Sequence, residues 1–160
     1  MDGDTPFYRQ LMKGDERRVS ELIEDVFDEF IAPDYEAEGV EEFKKHIVPE
    51  VILRRHMRGD SLVLVAEEAG EFAGVVDVRD GNHIRLFFVR KDRQGRGIGR
   101  KLLELAVERC LLQNPELDSI SVNSSPHAVP IYESLGFVVT LPEQVKNGIR
   151  HTPMIRRIPA

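Results

Sequence analysis

The chain of 160 residues contains one cysteine, no tryptophan and only 7% aromatic residues. A lone cysteine, Cys110, cannot form an internal disulfide or a cysteine-rich zinc site, which argues against a secreted scaffold and fits a reducing compartment. No apolar run reaches the roughly 18 residues that a membrane span needs. The acidic start, Met-Asp-Gly-Asp, is also unlike a signal peptide. We therefore expect a cytoplasmic protein with no membrane partner.

The charge balance is acidic, with 22 Lys and Arg against 28 Asp and Glu and a net charge of -6. Such a surface repels nucleic acid, so a general DNA-binding role is disfavoured. Hydrophobic residues make up 41% and charged residues 31%, the balance of an ordinary globular protein. The length falls within the roughly 100 to 200 residues of one domain, so we predict a single domain over residues 1–160.

Hydrophobic periodicity and turn residues predict an α/β (α+β mixed) fold with a largely antiparallel mixed sheet. We expect helices after the N-cap Asp15 up to Pro33, in two short pieces around Pro49, and at 100–113 and 128–135. The expected strands are 7–12, 62–65, 72–79, 83–89, 119–122, 137–141 and 149–158. The pattern therefore indicates about seven strands flanked by about four helices.

A glycine-rich loop, Gln94-Gly95-Arg96-Gly97-Ile98-Gly99, lies between a predicted strand and a predicted helix. Glycines let the backbone approach a ligand closely, and a helix N-terminus presents free N–H groups to an anion. Six basic side chains between Arg90 and Lys101 face only one acidic residue, Asp92. The loop predicts a polyphosphate site, and the alternative is a tight turn beside a solvated basic face.

Two common phosphate motifs do not fit this loop. A dinucleotide-binding G-x-G-x-x-G loop has a third glycine where this chain has Arg100, and it lies early in its domain. A Walker loop requires Gly-Lys followed by Ser or Thr, whereas Lys101 follows Arg100 and precedes Leu102. Neither a Rossmann enzyme nor a P-loop NTPase is therefore predicted.

The motif Gln94-x-x-Gly97-x-Gly99, followed by Ala128-x-x-x-Tyr132-x-x-x-Gly136-Phe137, resembles the GNAT superfamily of acyl-coenzyme A N-acyltransferases. The resemblance implies the GNAT fold, with a splay after the fourth strand, and acetyl-CoA as co-substrate without a metal. It also implies the cofactor-binding residues. These are Phe87, Phe88, Val89, Gln94, Gly95, Arg96, Gly97, Ile98, Gly99, Arg100, Asn123 and Ser125.

The family reaction is direct attack of an amine on the acetyl thioester in a ternary complex. Tyr132 matches the family tyrosine near the sulfur, where a phenol with a pKa of about 10 can protonate the leaving thiolate. His83 matches the position of a glutamate base in some histone-directed members, and an imidazole can accept a proton near neutrality. The alternatives are a core aromatic at Tyr132 and a solvated histidine at His83. We expect a backbone N–H of Phe88 or Val89 to stabilise the oxyanion.

For the acceptor, the resemblance points to the loop after the first helix and to the last strands. We name Tyr35, Asp77 and His151 as substrate-binding residues, and expect a small-molecule or peptide amine as partner. The acidic face of the first helix suggests a cationic acceptor, although a charge run is usually only solvated. A homodimer is one possible assembly of the chain. The histidines show no spacing that is typical of a metal site, so no metal is expected. The alternative function is an acyl-CoA-binding sensor without turnover.

Overall fold

The computed structural model describes residues 5–159, which form one eight-stranded sheet with helices packed on both faces. The strands are β1 (Phe7–Gln10), β2 (Ser61–Glu68), β3 (Glu71–Arg79), β4 (His83–Val89), β5 (Ser119–Ser124), β6 (Val138–Val139), β7 (Gln144–Lys146) and β8 (Ile149–Arg157). The α-helices are α1 (Glu16–Phe30), α2 (Ala37–Lys45), α3 (Pro49–Met57), α4 (Ile98–Gln113) and α5 (Val129–Ser134).

The sheet order is β1-β2-β3-β4-β5-β8-β6, and β7 pairs with β8. β1 to β4 form an antiparallel meander, whereas β4 and β5 are parallel. The parallel pair is joined only at His83 with Ser121 and at Ile84 with Val122. Beyond Ile84 the two strands diverge, so a gap opens between them. This confirms the predicted mixed, largely antiparallel sheet and its splay after the fourth strand.

Each face of the sheet carries its own hydrophobic core. On one face, α4 and α5 cover a cluster that includes Leu102, Leu103 and Phe137. On the other face, α1 and its neighbours cover a cluster that includes Phe27 and Val65. Because β3 is covered on both sides, its residues 72–78 are all buried. A strand buried on both faces reads as a near-continuous apolar run, and within residues 72–78 the charged Asp77 interrupts it.

Two details differ from the sequence predictions. The eighth strand, β7, was not predicted. The second helical stretch is divided at Pro49 as expected, which gives five α-helices within residues 5–159. Asp15 precedes α1 as expected, but its side chain makes no cap hydrogen bond. Its carboxylate accepts hydrogen bonds from the Met12 N–H (2.8 Å) and from Arg9 (2.7 Å) instead. Asp15 is therefore the N-cap residue by position, as predicted, but its carboxylate is engaged by a guanidinium and a turn N–H and does not cap the helix.

α2 meets the β7–β8 hairpin through two glycines. Asn147 and Gly148 form the hairpin turn with φ values of 54° and 79°, both in the left-handed region that two-residue hairpins favour. The Gly148 backbone lies against Gly39 of α2, and a Cβ on either glycine would overlap the backbone of the other. This contact holds the β7–β8 hairpin against α2.

Candidate active site

The glycine-rich loop lies between the end of β4 and the start of α4. Gly95 (φ 77°) and Gly97 (φ 85°) adopt left-handed backbone conformations, and Gly97 is the N-cap of α4. A Cβ built on either glycine meets no other atom within 4 Å, so both face open space. The Lys101 N–H donates to the Gly97 carbonyl (3.0 Å), which leaves the preceding N–H groups of the first turn without helical partners. The backbone therefore presents free donors at an open surface.

A cleft of about 430 Å³ joins this loop to the end of β4, to α5 and to α1. The cleft brings together most of the predicted cofactor-binding residues and Tyr132. Those that line it are Phe87, Phe88, Val89, Gln94, Gly95, Gly97, Ile98, Gly99, Arg100 and Tyr132. Gly99 packs closely beneath it, since a Cβ there would lie 3.4 Å from the Phe87 ring. A mostly apolar cleft with polar donors at one end can hold a long, thin ligand with an anionic end.

The arginines of the loop are paired with carboxylates from other elements. Glu68, at the end of β2, is only 3% exposed and accepts hydrogen bonds from Arg93 (2.6 Å) and from Arg96 (3.0 and 3.2 Å). Arg93 also contacts Glu71 at 3.1 Å. Arg96 does not line the cleft. The basic excess that the sequence suggested is therefore largely neutralised, and these arginines anchor the loop to β2.

Two further polar contacts fix the loop in place. The Gln94 side-chain amide donates to the Val89 carbonyl (3.0 Å), which ties the loop to the end of β4. Arg100 donates to the Ser134 carbonyl at the end of α5 (3.1 Å). These side chains hold the walls of the cleft together, so the free donors toward a ligand are mainly backbone N–H groups.

Tyr132 lies on α5 and is 6% exposed at the floor of the cleft. Its ring packs edge-on against Phe137 (centroids 5.2 Å apart) and lies 5.9 Å from the Phe87 ring. Burial raises the pKa of the Tyr132 phenol, because the phenolate would lose its hydration. The hydroxyl therefore carries its proton throughout the neutral range and can act as a proton donor.

The structure does not bring His83 to this cleft. His83 is the first residue of β4, and its Nδ1 lies 2.7 Å from the Ser121 hydroxyl. Six residues separate it from Val89, which corresponds to about 20 Å along a strand. Burial, together with the positive charges of Arg79 and Arg85, lowers the pKa of His83 to about 4. The imidazole is therefore neutral and hydrogen-bonded at the far end of the strand.

Asn123 and Ser125 also lie outside the cleft lining. Asn123 is exposed on β5 and pairs with Pro153 of β8. The Ser125 hydroxyl accepts a hydrogen bond from the Ala128 N–H (3.3 Å) and so forms part of the turn before α5.

The three predicted substrate-binding residues are spread over the other face. Tyr35 follows α1 and packs edge-on against Phe27 (5.6 Å), and burial raises its pKa to about 12. Asp77 is fully buried on β3 beside Arg55 and Arg85. His151 is partly buried on β8, opposite Gln144 of β7. None of the three lines the cleft.

Sequence reasoning missed one wall of the cleft, which Val26, Ile31 and His127 form. Phe30, at the end of α1, stacks on His127 of the β5–α5 loop with centroids 4.9 Å apart. Val26 and Ile31 line the same wall. Phe30 continues the apolar stripe of α1, which was a visible signal, but nothing in the sequence pairs it with a residue of a distant loop.

A scan against protein families matches residues 31–158 to the acetyltransferase (GNAT) domain. The chain belongs to the GNAT acetyltransferase family. Over 66 residues it is 30% identical to the UPF0039 protein sll0451 of Synechocystis sp., and this match spans 41% of the chain and 42% of that relative's length.

Solved GNAT structures share the fold at low sequence identity. A GCN5-related N-acetyltransferase from Rhodopseudomonas palustris has a TM-score of 0.80 at 20% identity, covering 96% of both chains. The PaiA N-acetyltransferase of Thermoplasma acidophilum, solved with coenzyme A, has a TM-score of 0.78 at 16% identity, covering 96% of this chain and 99% of that one. The spermidine N-acetyltransferase of Vibrio cholerae, solved with coenzyme A and spermine, has a TM-score of 0.64 at 20% identity, covering 95% of both chains.

No cluster of three or more His, Cys, Asp or Glu side chains within residues 5–159 has a metal-binding arrangement. No helix among these residues has both the length and the apolar character needed to cross a bilayer.

Proposed function

We propose that the protein is an N-acetyltransferase that moves an acetyl group from acetyl-CoA to the primary amine of a small molecule or peptide. The observation that carries this proposal is a single cleft that joins the open end of β4, the α4 N-terminus and the buried Tyr132 hydroxyl. Membership of the GNAT family supports acyl transfer. The coenzyme A in the Thermoplasma and Vibrio structures supports the choice of donor.

The donor fits the cleft by its chemistry. The pyrophosphate needs several hydrogen-bond donors and a positive potential, which the free N–H groups of α4 and the helix dipole supply beside Gly95 and Gly97. The pantetheine arm needs a narrow, largely apolar channel, which Phe87, Val89 and Ile131 line. The loop glycines are open on the ligand side, so the backbone can approach the phosphates closely.

In the proposed reaction, the neutral amine attacks the thioester carbonyl directly, so that a C–N bond forms and the C–S bond breaks, and the proton that the nitrogen loses passes to solvent. Tyr132 is protonated in the neutral range, donates its proton to the departing sulfur as negative charge develops there, and regains a proton from solvent. A backbone N–H near Phe88 or Val89 stabilises the developing oxyanion, and the Gln94 contact to the Val89 carbonyl holds that segment in place. We assign no proton transfer to His83, because it lies at the other end of β4.

Thiol release from acetyl-CoA across a panel of primary amines tests the proposal. We expect turnover, and we expect Tyr132→Phe to lower kcat about 100-fold or more with coenzyme A affinity unchanged. Tyr8→Phe, on β1 away from the cleft, is the matched control and should retain full activity. Tight donor binding without turnover on any amine would favour the sensor, and an unchanged kcat in Tyr132→Phe would remove this residue from the mechanism.

A further inference from the structure

Arg85 occupies the point where the gap between β4 and β5 opens. The last paired residues of the two strands are Ile84 and Val122. On the other side of β4, Ile84 pairs with Val78 and Leu86 pairs with Asp77, so Arg85 is the extra residue of a β-bulge. Bulges redirect a side chain out of the regular alternation and are frequent beside active sites.

The Arg85 side chain turns toward the face of the sheet that carries α1, α2 and α3. Its Nε lies 3.9 Å from Oδ1 of the buried Asp77, and Asp77 Oδ2 lies 3.5 Å from Arg55 of α3. The glycine-rich loop and α4 cover the opposite face. Arg85 therefore faces the side of the gap that is opposite to the proposed donor pyrophosphate site.

The charges around Arg85 do not cancel. Two guanidinium groups, those of Arg55 and Arg85, share the single carboxylate of Asp77. Arg55 also donates to the His46 carbonyl (3.0 Å), so its guanidinium group has a second partner within the protein. Arg85 forms no ion pair within residues 5–159 other than the long one to Asp77. A surplus positive charge thus remains on Arg85.

Several polar atoms in this cluster lack partners. The Nε atoms of Arg55 and Arg85 and Oδ1 of Asp77 are buried without a hydrogen bond. The 3.9 Å separation of Arg85 Nε from Asp77 is too long for one. A buried donor left unpaired is costly, so the contacts within the protein do not satisfy Arg85. Nε itself is buried, whereas the Arg85 side chain as a whole is 26% exposed, so a ligand can contact its other atoms.

We propose that Arg85 determines acceptor specificity by binding a carboxylate of the acceptor. The planar guanidinium fork matches a carboxylate in a bidentate geometry. This inference rests on the proposed acyl transfer and names the substrate class for it: an amine that also carries an acid. It replaces the cationic acceptor that the acidic face of α1 suggested, since Glu24 and Asp28 on that face pair with Lys44.

The geometry also sets the spacing between the two groups of the acceptor. The proposed reaction centre lies near Phe88, three residues beyond Arg85, which is about 10 Å along a strand. Part of that distance is spanned by the Arg85 side chain itself. The amine and the carboxylate are therefore separated by a chain of several atoms, as in an ω-amino acid or a short peptide, rather than by the single carbon of an α-amino acid.

The test compares 3-aminopropanoate, 4-aminobutanoate and 6-aminohexanoate with their carboxamides, which keep the shape and lose the charge. Calorimetry on the full chain saturated with coenzyme A measures acceptor binding, and thiol release with acetyl-CoA measures kcat/KM. We expect at least one of the acids to bind about 10- to 100-fold more tightly than its amide. Equal binding of every acid and its amide would overturn the inference, whether or not turnover occurs.

Arg85→Gln should abolish this discrimination while leaving coenzyme A affinity unchanged, which also shows that the variant folds. Arg79→Gln is the matched control, because Arg79 is an arginine of the adjacent strand that pairs with the exposed Asp80. Its preference for the acids should persist. If Arg85→Gln keeps the wild-type preference, the assignment to Arg85 is wrong. If neutral amines turn over as well as the acids in the wild type, the proposed function stands and the carboxylate inference falls.

Discussion

Replacing Glu68 with Gln tests whether the loop arginines anchor the loop or bind phosphate. Glu68 is buried and accepts three charge-assisted hydrogen bonds from Arg93 and Arg96. Removing one partner of a fully buried pair costs about 3–5 kcal/mol. Here Arg93 keeps its contact with Glu71 and Arg96 is half exposed, so we expect a smaller loss, about 2–3 kcal/mol. For a chain of this size, that lowers Tm by roughly 4–12 °C.

The informative measurement is coenzyme A affinity in the same variant. If Glu68 anchors the loop, its loss allows residues 90–97 to move, and the affinity should fall about tenfold. If the arginines are phosphate ligands that Glu68 restrains, Glu68→Gln releases them and the affinity should rise. Glu67→Gln is the control, because the half-buried Glu67 pairs with Arg9 (3.2 Å) away from the loop. Lower stability with unchanged or tighter binding would refute the anchoring role.

Three further predictions follow from the backbone and from one histidine. Gly97→Ala should weaken coenzyme A binding by strain at φ 85°, whereas Gly81→Ala at φ 70° should carry similar strain and leave binding unchanged, both measured by calorimetry. The folded-state pKa of His83 lies below its unfolded value of 6.5, so the histidine leaves the free energy of unfolding unchanged above pH 6.5 and lowers it by about 2 kcal/mol as the pH falls toward 4. His83→Gln should flatten this part of the denaturation profile, and an unaltered slope would contradict the assignment. Gly39→Ala should cost about 1–3 kcal/mol in urea unfolding, since its Cβ overlaps Gly148, whereas Gly70→Ala tests a turn glycine with free space around it.

The sequence was most informative where a local pattern decides the structure. The strands of the meander, the stop at Pro49 and the loop from Gln94 to Gly99 depend on near neighbours, and each is present as expected. The missed strand β7 had a local signal as well, because Asn147-Gly148 is a strong two-residue hairpin turn.

The failures depend on contacts between distant segments. The sequence could not show that Glu68 pairs with Arg93 and Arg96, because β2 comes to lie beside the loop only when the strands of the sheet have paired. His83 lies outside the cleft because six residues of β-strand separate it from Val89, a distance that depends on the strand being fully extended. The surplus charge at Arg85 depends on a bulge and on burial, neither of which the sequence reveals.

The contact of Gly39 with Gly148 has a consequence for the order of folding. It joins segments roughly 110 residues apart, and closing such a long loop is slow relative to the local pairing of β2, β3 and β4. The half of the molecule that carries the glycine-rich loop can therefore form before the hairpin docks on α2. We expect substitutions at this glycine pair to accelerate unfolding and to leave the refolding rate nearly unchanged. The face of α1–α3 would then be the last part of the protein to be completed.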